Sequence, residues 1–402
     1  MKKIYVKSYQ ADKGDCFLVK YDEISILVDT GTSLPDKLIE DLSLMNKEGK
    51  NLQLLILTHI DTDHIGGAIE LVEKNVIQIE NIWYNGYKQV FDIESELESK
   101  IGSDKTQLVL NEIIKTNSRT SEKEIQYEAG YSEAKSLEEI LFKNKIKINE
   151  QFEGKKILSG MDYNYNEDIS FYFLSPTQEI LDKLKEKWND ELQEYDCYVL
   201  DRDIINMPKA FEFYFSSSYK IEEEYEYEAG NVEENTVKEL ANKKEQLDNT
   251  TINKSSFAFI LSIGQKNLLF LGDSNPKVVQ LELNKLIDMK EENKKFKDIS
   301  LVKVSHHGSK YNITNDLLSS INTNSFLIST DGVKKKEVPT KPDIQSIAKI
   351  IYSKPNSNIY LNYPKEFYNE EIYNMIDDYN HKEKANVVVV NGSVEDSILI
   401  EI

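Results

Sequence analysis

Apolar and polar positions alternate over residues 3–8, 16–20 and 24–28, and Gly14 and the pair Asp22 and Glu23 punctuate them as turn signals. That period of two predicts three short strands in an antiparallel meander, the third ending at VDTG. LQLLIL, residues 52–57, is apolar without alternation, as in a strand covered on both faces, and GGAIELVEK after it has helical spacing. Another strand is expected near 80–84. Residues 94–116 and SLEEILFK, 136–143, have the spacing of amphipathic helices. From about residue 156 the pattern repeats in kind. ISFYFLSPT reads as a strand, residues 177–188 as a helix, and SFAFILSI with KNLLFLGD as a hairpin. DISLVKVSHHGS, NSFLIST, SNIYLNY, NVVVV and SILIEI supply further strands, with helices near 276–288 and 343–351.

Strands and helices mixed in both halves predict a layered α/β architecture, two sheets face to face with helices outside. The expected organisation is one domain over residues 1–402 with insertions at about 90–150 and 189–254. Over 189–254 the composition shifts to Glu, Asn, Lys and Tyr, as in a solvated, partly helical excursion. Tyr225 and Tyr227 within it make a lid or a protein-partner-binding arm the functional alternative.

Composition narrows the class. With 402 residues, 40% of them hydrophobic, the chain has ample material for a core. No stretch approaches the roughly 18 apolar residues of a membrane span, and the start turns polar too soon for a signal peptide, so a cytoplasmic location is expected and no membrane partner. Cys16 and Cys197 are the two cysteines, too few for a disulfide framework or a thiolate zinc site; both are expected reduced and buried. A net charge of -21 argues against an open surface that coats nucleic acid, but leaves room for a small positive pocket or a metal site.

The candidate chemistry is concentrated in His59-Ile60-Asp61-Thr62-Asp63-His64, four potential ligands in six positions between a buried strand and a helix. Imidazole with carboxylate suits zinc, manganese or iron, and two carboxylates help to hold two divalent ions. Gly66 and Gly67 follow, where backbone must approach closely. So many ionisable groups beside a core strand repel or desolvate one another without a cation.

This loop resembles the signature of the metallo-β-lactamase fold superfamily, in the HxDxDH variant typical of the ComEC-type branch of bacterial DNA-uptake proteins and stand-alone hydrolases. ADKGDCFLVKY with ILVDTG, then LLFLGD, then LVKVSHHGS match that branch in order, from about residue 5 to residue 330. The resemblance implies a four-layer αββα sandwich of two mixed β-sheets with outer helices. It makes Asp29 the group that orients a ligand histidine from behind, Asp273 the carboxylate bridging two metals, and His307 a ligand, with His306 the neighbouring alternative. One metal is then held by Asp63, His64, Asp273 and His307, and another by His59, Asp61 and Asp273. The second set is short of a ligand: relatives supply a histidine mid-chain, and here none lies between residues 64 and 306. His381 sits in a charged stretch and is expected to face solvent. Where relatives have His-Pro, this chain has Lys341 before Pro342. Lys341 is a candidate phosphate contact, as are Ser309 and Lys310.

The resulting expectation is a metal-dependent hydrolase with two divalent ions, zinc or manganese, a metal-activated water as nucleophile, and Asp61 and Asp63 as proton carriers. The substrate class that fits is a phosphodiester, in a phosphorylated small molecule or, as for a nuclease, in nucleic acid. Two alternatives stay open: a non-catalytic metal-binding or sensor module, and a partner-dependent effector of a bacterial defence system. An aspartic-protease reading of VDTG fails for want of a second copy, since STDG at 329–332 has the wrong order.

Overall fold

A computed structural model describes residues 2–93, 136–194, 207–222, 236–332, 341–393 and 397–402. The helix expected over 94–116, Cys197, Tyr225 and Tyr227 lie outside the described residues, as does much of both expected insertions.

The predicted meander forms as β1 (Ile4–Ser8), β2 (Phe17–Tyr21) and β3 (Ile24–Val28). β4 (Leu54–Ile56) and β5 (Ile82–Trp83) add to it in parallel, while β14 (Ile398–Glu401) pairs antiparallel with β1. The order of this mixed sheet is β14-β1-β2-β3-β4-β5. The second sheet contains β6 (Asp162–Asn164), β7 (Ile169–Ser175), β8 (Ala258–Ile263), β9 (Lys266–Phe270), β10 (Leu301–Lys303), β11 (Ser325–Ile328), β12 (Asn358–Leu361) and β13 (Val388–Asn391). Its order runs β13 to β6 in descending number, with β9 to β13 parallel and β6 to β9 antiparallel.

Three apolar cores separate four layers. Between the sheets lie Val6, Val19, Ile26, Ile56, Phe171, Phe259, Phe270 and Leu327 with their neighbours. Trp83 is edge-on to Phe171 at 4.6 Å and to Phe173 at 5.8 Å there, the tilted geometry that ring quadrupoles favour. A second core joins the first sheet to α1 (Asp36–Lys47) and α2 (Thr62–Lys74), and a third joins the second sheet to the helices Pro276–Met289 and Ile344–Ser353. The four-layer sandwich of two mixed sheets is thus present.

Outside the 189–254 segment, two helices longer than ten residues were not among the expected elements. α1 buries Leu38, Leu42 and Met45 at helical spacing. The helix Glu370–Glu383 buries Ile372, Tyr373 and Ile376, and His381 is exposed in its last turn. In both, charged residues outnumber the apolar stripe. β4 is shorter than the apolar run because Leu57, Thr58 and His59 leave the strand for the ligand loop.

One polar cluster sits away from the strand ends. Glu212, on the helix Met207–Glu222, accepts from the backbone N–H of Leu137 (2.7 Å) and Glu138 (3.1 Å) and so caps the helix Leu137–Lys143. Burial, followed by the Glu212 charge, pushes the Glu138 carboxyl up to about 8; burial pushes Glu212 up to about 7. The unfolded chain ionises both near 4.5. The folded protein therefore holds more protons across this window, and its stability is expected to fall as pH rises from about 4.5 through about 8. Glu138→Gln is expected to flatten that slope, raising the melting temperature at pH 8 but not at pH 4.5. Parallel thermal scans of variant and wild type at the two pH values check it.

Candidate metal centre

β3, β4, β9, β10 and β11 end at one edge of the sandwich, and the candidate residues are delivered by the turns that follow them, as ligand sites in open α/β sheets generally are. Asp29 follows β3 with a left-handed φ of 57°. Its Oδ1 accepts from the Thr58 N–H (2.7 Å) and its Oδ2 from the Thr58 hydroxyl (2.9 Å). Asp61 caps α2, its Oδ1 accepting from the Thr62 N–H at 2.6 Å. The glycine pair does what close approach requires: a Cβ on Gly66 would stand 2.1 Å from the Thr32 carbonyl oxygen, and one on Gly67 2.5 Å from that of Thr30. After β10 the SHHG turn holds His306 and His307 at φ 48° and 56°, a conformation strained for a side chain this large.

Each histidine is held by Nδ1 so that Nε2 faces inward. His64 Nδ1 donates to Asp29 Oδ2 at 2.8 Å, and its Nε2 lies 3.5 Å from Asp273 Oδ1 and 3.7 Å from Asp63 Oδ1. His307 Nδ1 donates to the Ser329 carbonyl at 2.9 Å, and its Nε2 lies 3.2 Å from Asp63 Oδ2 and 3.9 Å from Asp273 Oδ2. His59 Nδ1 is 3.2 Å from the Thr58 hydroxyl, and its ring centre is 4.2 Å from that of His64. His306 Nδ1 meets Asn312 Oδ1 at 3.0 Å, and its Nε2 is 3.8 Å from Asp273 Oδ2. Potential ligand atoms of Asp63, His64 and His307 fall within 4.8 Å of one another, as do those of His59, His64 and Asp273.

Whether these residues fit a cation is decided by what they lack. Asp61 Oδ2, Asp63 Oδ1, Asp273 Oδ1 and the Nε2 atoms of His59 and His64 are buried and have no hydrogen-bond partner. Leaving such atoms unpaired costs about 1–3 kcal/mol each, more for charged groups. Carboxylate oxygens and imidazole lone pairs turned to one point are a donor set for a hard or borderline divalent cation. Burial, then the neighbouring His64, lowers His59 to about 3, so its imidazole is neutral, the form that ligates.

Two buried groups were not anticipated. Lys303, in the apolar run LVKV, is ion-paired with Asp15 and donates to the Gly272 carbonyl at 3.2 Å. Its Nζ is 3.9 Å from Asp273 Oδ1, and Asp15 Oδ1 is 3.4 Å from His307 Nδ1. Burial works against charge on His307, but Asp15 and Asp273 outweigh it and hold the imidazole up to about 9, so a cation taken at its Nε2 would have to displace a proton. A lysine inside an apolar strand run was the available signal; its partner, far away in the chain, carried none.

The remaining candidates line the same turn. Ser309 is buried and its Oγ accepts from the Tyr311 N–H at 3.3 Å. Lys310 lies over the Tyr311 ring at 4.9 Å, and its backbone N–H donates to Asp343 Oδ2 at 2.7 Å. Lys341 precedes Pro342, which packs against Gly308, where a Cβ would come within 2.7 Å of it. Cys16 is buried and unpaired, and no helix among the described residues is long and apolar enough to cross a membrane.

Asp29 grips both Thr58 and His64, so Asp29→Asn is expected to weaken cation affinity about 10- to 100-fold, the usual loss when a ligand histidine loses the carboxylate behind it. Titration with Mn²⁺ checks it, and an affinity equal to that of the wild type would be inconsistent with this role.

No curated protein matches the chain. Among solved structures, a "CmlA beta-hydroxylase E377D mutant" is 8% identical with a TM-score of 0.37, covering 98% of this chain. The alignment spans 54% of that protein, so the chain is about half its length. A protein of unknown function from Enterococcus faecalis V583 is 11% identical with a TM-score of 0.26, covering 98% of this chain and 77% of its own. Residues 10–122, which contain Asp15, Asp29 and the whole His59–His64 loop, match the family model described as the Metallo-beta-lactamase superfamily.

Proposed function

We propose that this protein is a metal-dependent hydrolase of phosphodiesters, of the ComEC-type branch. The observation that carries the reading is the set of five buried, unpartnered ligand atoms converging at one sheet edge. The superfamily match over residues 10–122 supports it. Asp63, His64, Asp273 and His307 would hold one divalent cation, and His59, Asp61 and Asp273 another, zinc or manganese by donor type. Cations bound there supply Lewis acidity, making water a better nucleophile near neutral pH and stabilising charge on phosphoryl oxygens.

The chain's own residues do the rest. Asp29, Ser329 and Thr58 keep the imidazoles in one tautomer and orientation. Asp63, at the outer side of the cage and the least buried of its carboxylates, is placed to accept and return a proton, with Asp61 beside it. Lys341, beside the Pro342 that packs on Gly308, and Lys310, on the turn after the histidines, would attract a substrate phosphate as point charges. The net charge of -21 favours a small phosphorylated ligand, or nucleic acid presented by a partner, over unaided binding along a duplex.

The test is turnover of a generic phosphodiester and a panel of carboxylic and phosphate esters by the purified protein in Mn²⁺ and in Zn²⁺. Phosphodiester hydrolysis abolished by chelation is expected. Cation binding with no turnover of any ester would instead assign the chain to the sensor reading.

A further inference from the structure

The cage has a feature its ligand sets leave unused. His306 stands beside His307, ring centres 5.9 Å apart, and both direct Nε2 toward Asp273 Oδ2, at 3.8 and 3.9 Å. Its tautomer follows from its neighbours. Asn312 Nδ2 faces three acceptors, Asp248 Oδ2 (3.2 Å) and the carbonyls of Asp273 (3.1 Å) and Ser274 (3.5 Å), so the amide oxygen must be the atom turned to His306. His306 Nδ1 therefore carries the proton and donates to that oxygen, and Nε2 carries the lone pair. This is the arrangement in which Asp29 holds His64 and Ser329 holds His307.

A second acceptor stands behind the same ring. Asp248 Oδ2 is 3.3 Å from His306 Nδ1, and its side chain is 7% exposed. Asp248 is itself fixed from several directions. Oδ1 accepts from the Thr250 N–H (2.9 Å) and Oδ2 from Asn253 Nδ2 (2.7 Å), its N–H donates to the Tyr311 carbonyl (3.1 Å), and its carbonyl accepts from Asn275 Nδ2 (3.0 Å). The residue thus ties the end of the 189–254 segment to the turn that bears the histidines and to the turn after β9.

Resting on the hydrolase reading above, we infer that His306 is the ligand that completes the site otherwise formed by His59, Asp61 and Asp273. We infer further that Asp248 is the positioning residue that aims it. The histidine that relatives place mid-chain is then replaced by one adjacent to His307. The 189–254 segment, whose composition reads as a solvated excursion, ends in a contact that the second cation needs. Asp248 touches neither cation nor substrate; it acts through the ring.

Calorimetric titration of the full chain with Mn²⁺ tests this, with bound metal counted by elemental analysis. The wild type is expected to take two Mn²⁺ per chain. His306→Gln and His306→Ala, two variants in case one fails to fold, should each retain one tight ion and raise the other dissociation constant at least 100-fold. Asp248→Asn should weaken that same site about 10- to 100-fold and leave the first untouched. Adding Asp248→Asn to His306→Gln should cost nothing more at that site, a non-additivity that a merely structural role would not produce. Two Mn²⁺ bound by both His306 variants at wild-type affinity, or a single wild-type ion indifferent to His306, overturns the inference and leaves the hydrolase reading standing. An equal, independent loss from Asp248→Asn in the His306→Gln background overturns the role given to Asp248. A wild type that binds neither Mn²⁺ nor, in a parallel titration, Zn²⁺ overturns both inference and reading.

Discussion

Asp273→Asn is expected to reduce phosphodiester turnover by about 10³-fold or more, because a carboxylate central to the cage contributes several kcal/mol to holding and orienting cations against a reacting phosphate. The magnitude follows from its position. Its two oxygens lie 3.5 Å from His64, 3.8 Å from His306, 3.9 Å from His307 and 3.9 Å from Lys303, and His59 brings a ligand atom within 4.8 Å, so every inward imidazole approaches this one group. An amide in its place keeps the volume, loses the charge, and puts a donor among lone pairs that need an acceptor-rich centre. Bound metal should fall together with rate, to one ion or fewer per chain, while the melting temperature of the metal-free protein stays equal to or above that of metal-free wild type. Rates measured at saturating Mn²⁺ alongside elemental analysis check it; a variant that kept both its metal and its rate would remove Asp273 from the centre.

Stripping cations should be the other large effect. Asp15, Asp29, Asp61, Asp63 and Asp273 crowd one edge, with Lys303 and the imidazole of His307, held up to about 9, as cations among them. Without divalent ions the like charges repel, and the five unpaired ligand atoms stay desolvated. A ligand present at about 1,000 times its dissociation constant stabilises the folded state by about 4 kcal/mol, which for a chain of this size corresponds to a melting shift of about 5 °C. Chelation is therefore expected to lower the melting temperature by about that amount, with recovery when Mn²⁺ is restored. Calorimetric scans with and without chelator decide the matter, and an unchanged melting temperature in protein proven free of metal would contradict it.

Much of this cage could be read from local sequence, and what could not has a common cause. Ligands packed into His59–His64 announce themselves, since a loop that dense in ionisable groups has few other physical explanations. Asp29 and Asp273 stand at the ends of apolar strand runs, which marks them as turn residues, and their part in the cage is what the family resemblance implies. Asp15, Lys303 and Asp248 were not legible, because their meaning lies in partners far away in the chain: Lys303 reads as an oddity in LVKV until Asp15 is brought beside it. The left-handed turn at His306 and His307 was equally hidden, since it sets which way each ring points without altering which residues are present. For the fold, the strands of both sheets were visible through their apolar runs, except β6, whose Asp162–Asn164 carries none. The helices Asp36–Lys47 and Glu370–Glu383 were not, because their charged faces dominate the composition and the buried stripe occupies a few positions.

The pairing of β14 with β1 carries a consequence for biosynthesis. Residues 398–401 zip onto residues 5–8, so the first sheet gains this edge strand only once residue 401 has left the ribosome. His307 likewise meets Asp63 across 244 residues. Contacts of such long sequence separation form late and slowly. Loading of the proposed cations is thereby deferred until residue 307 has emerged, and a nascent chain caught before that point, whatever ions surround it, lacks a complete cage.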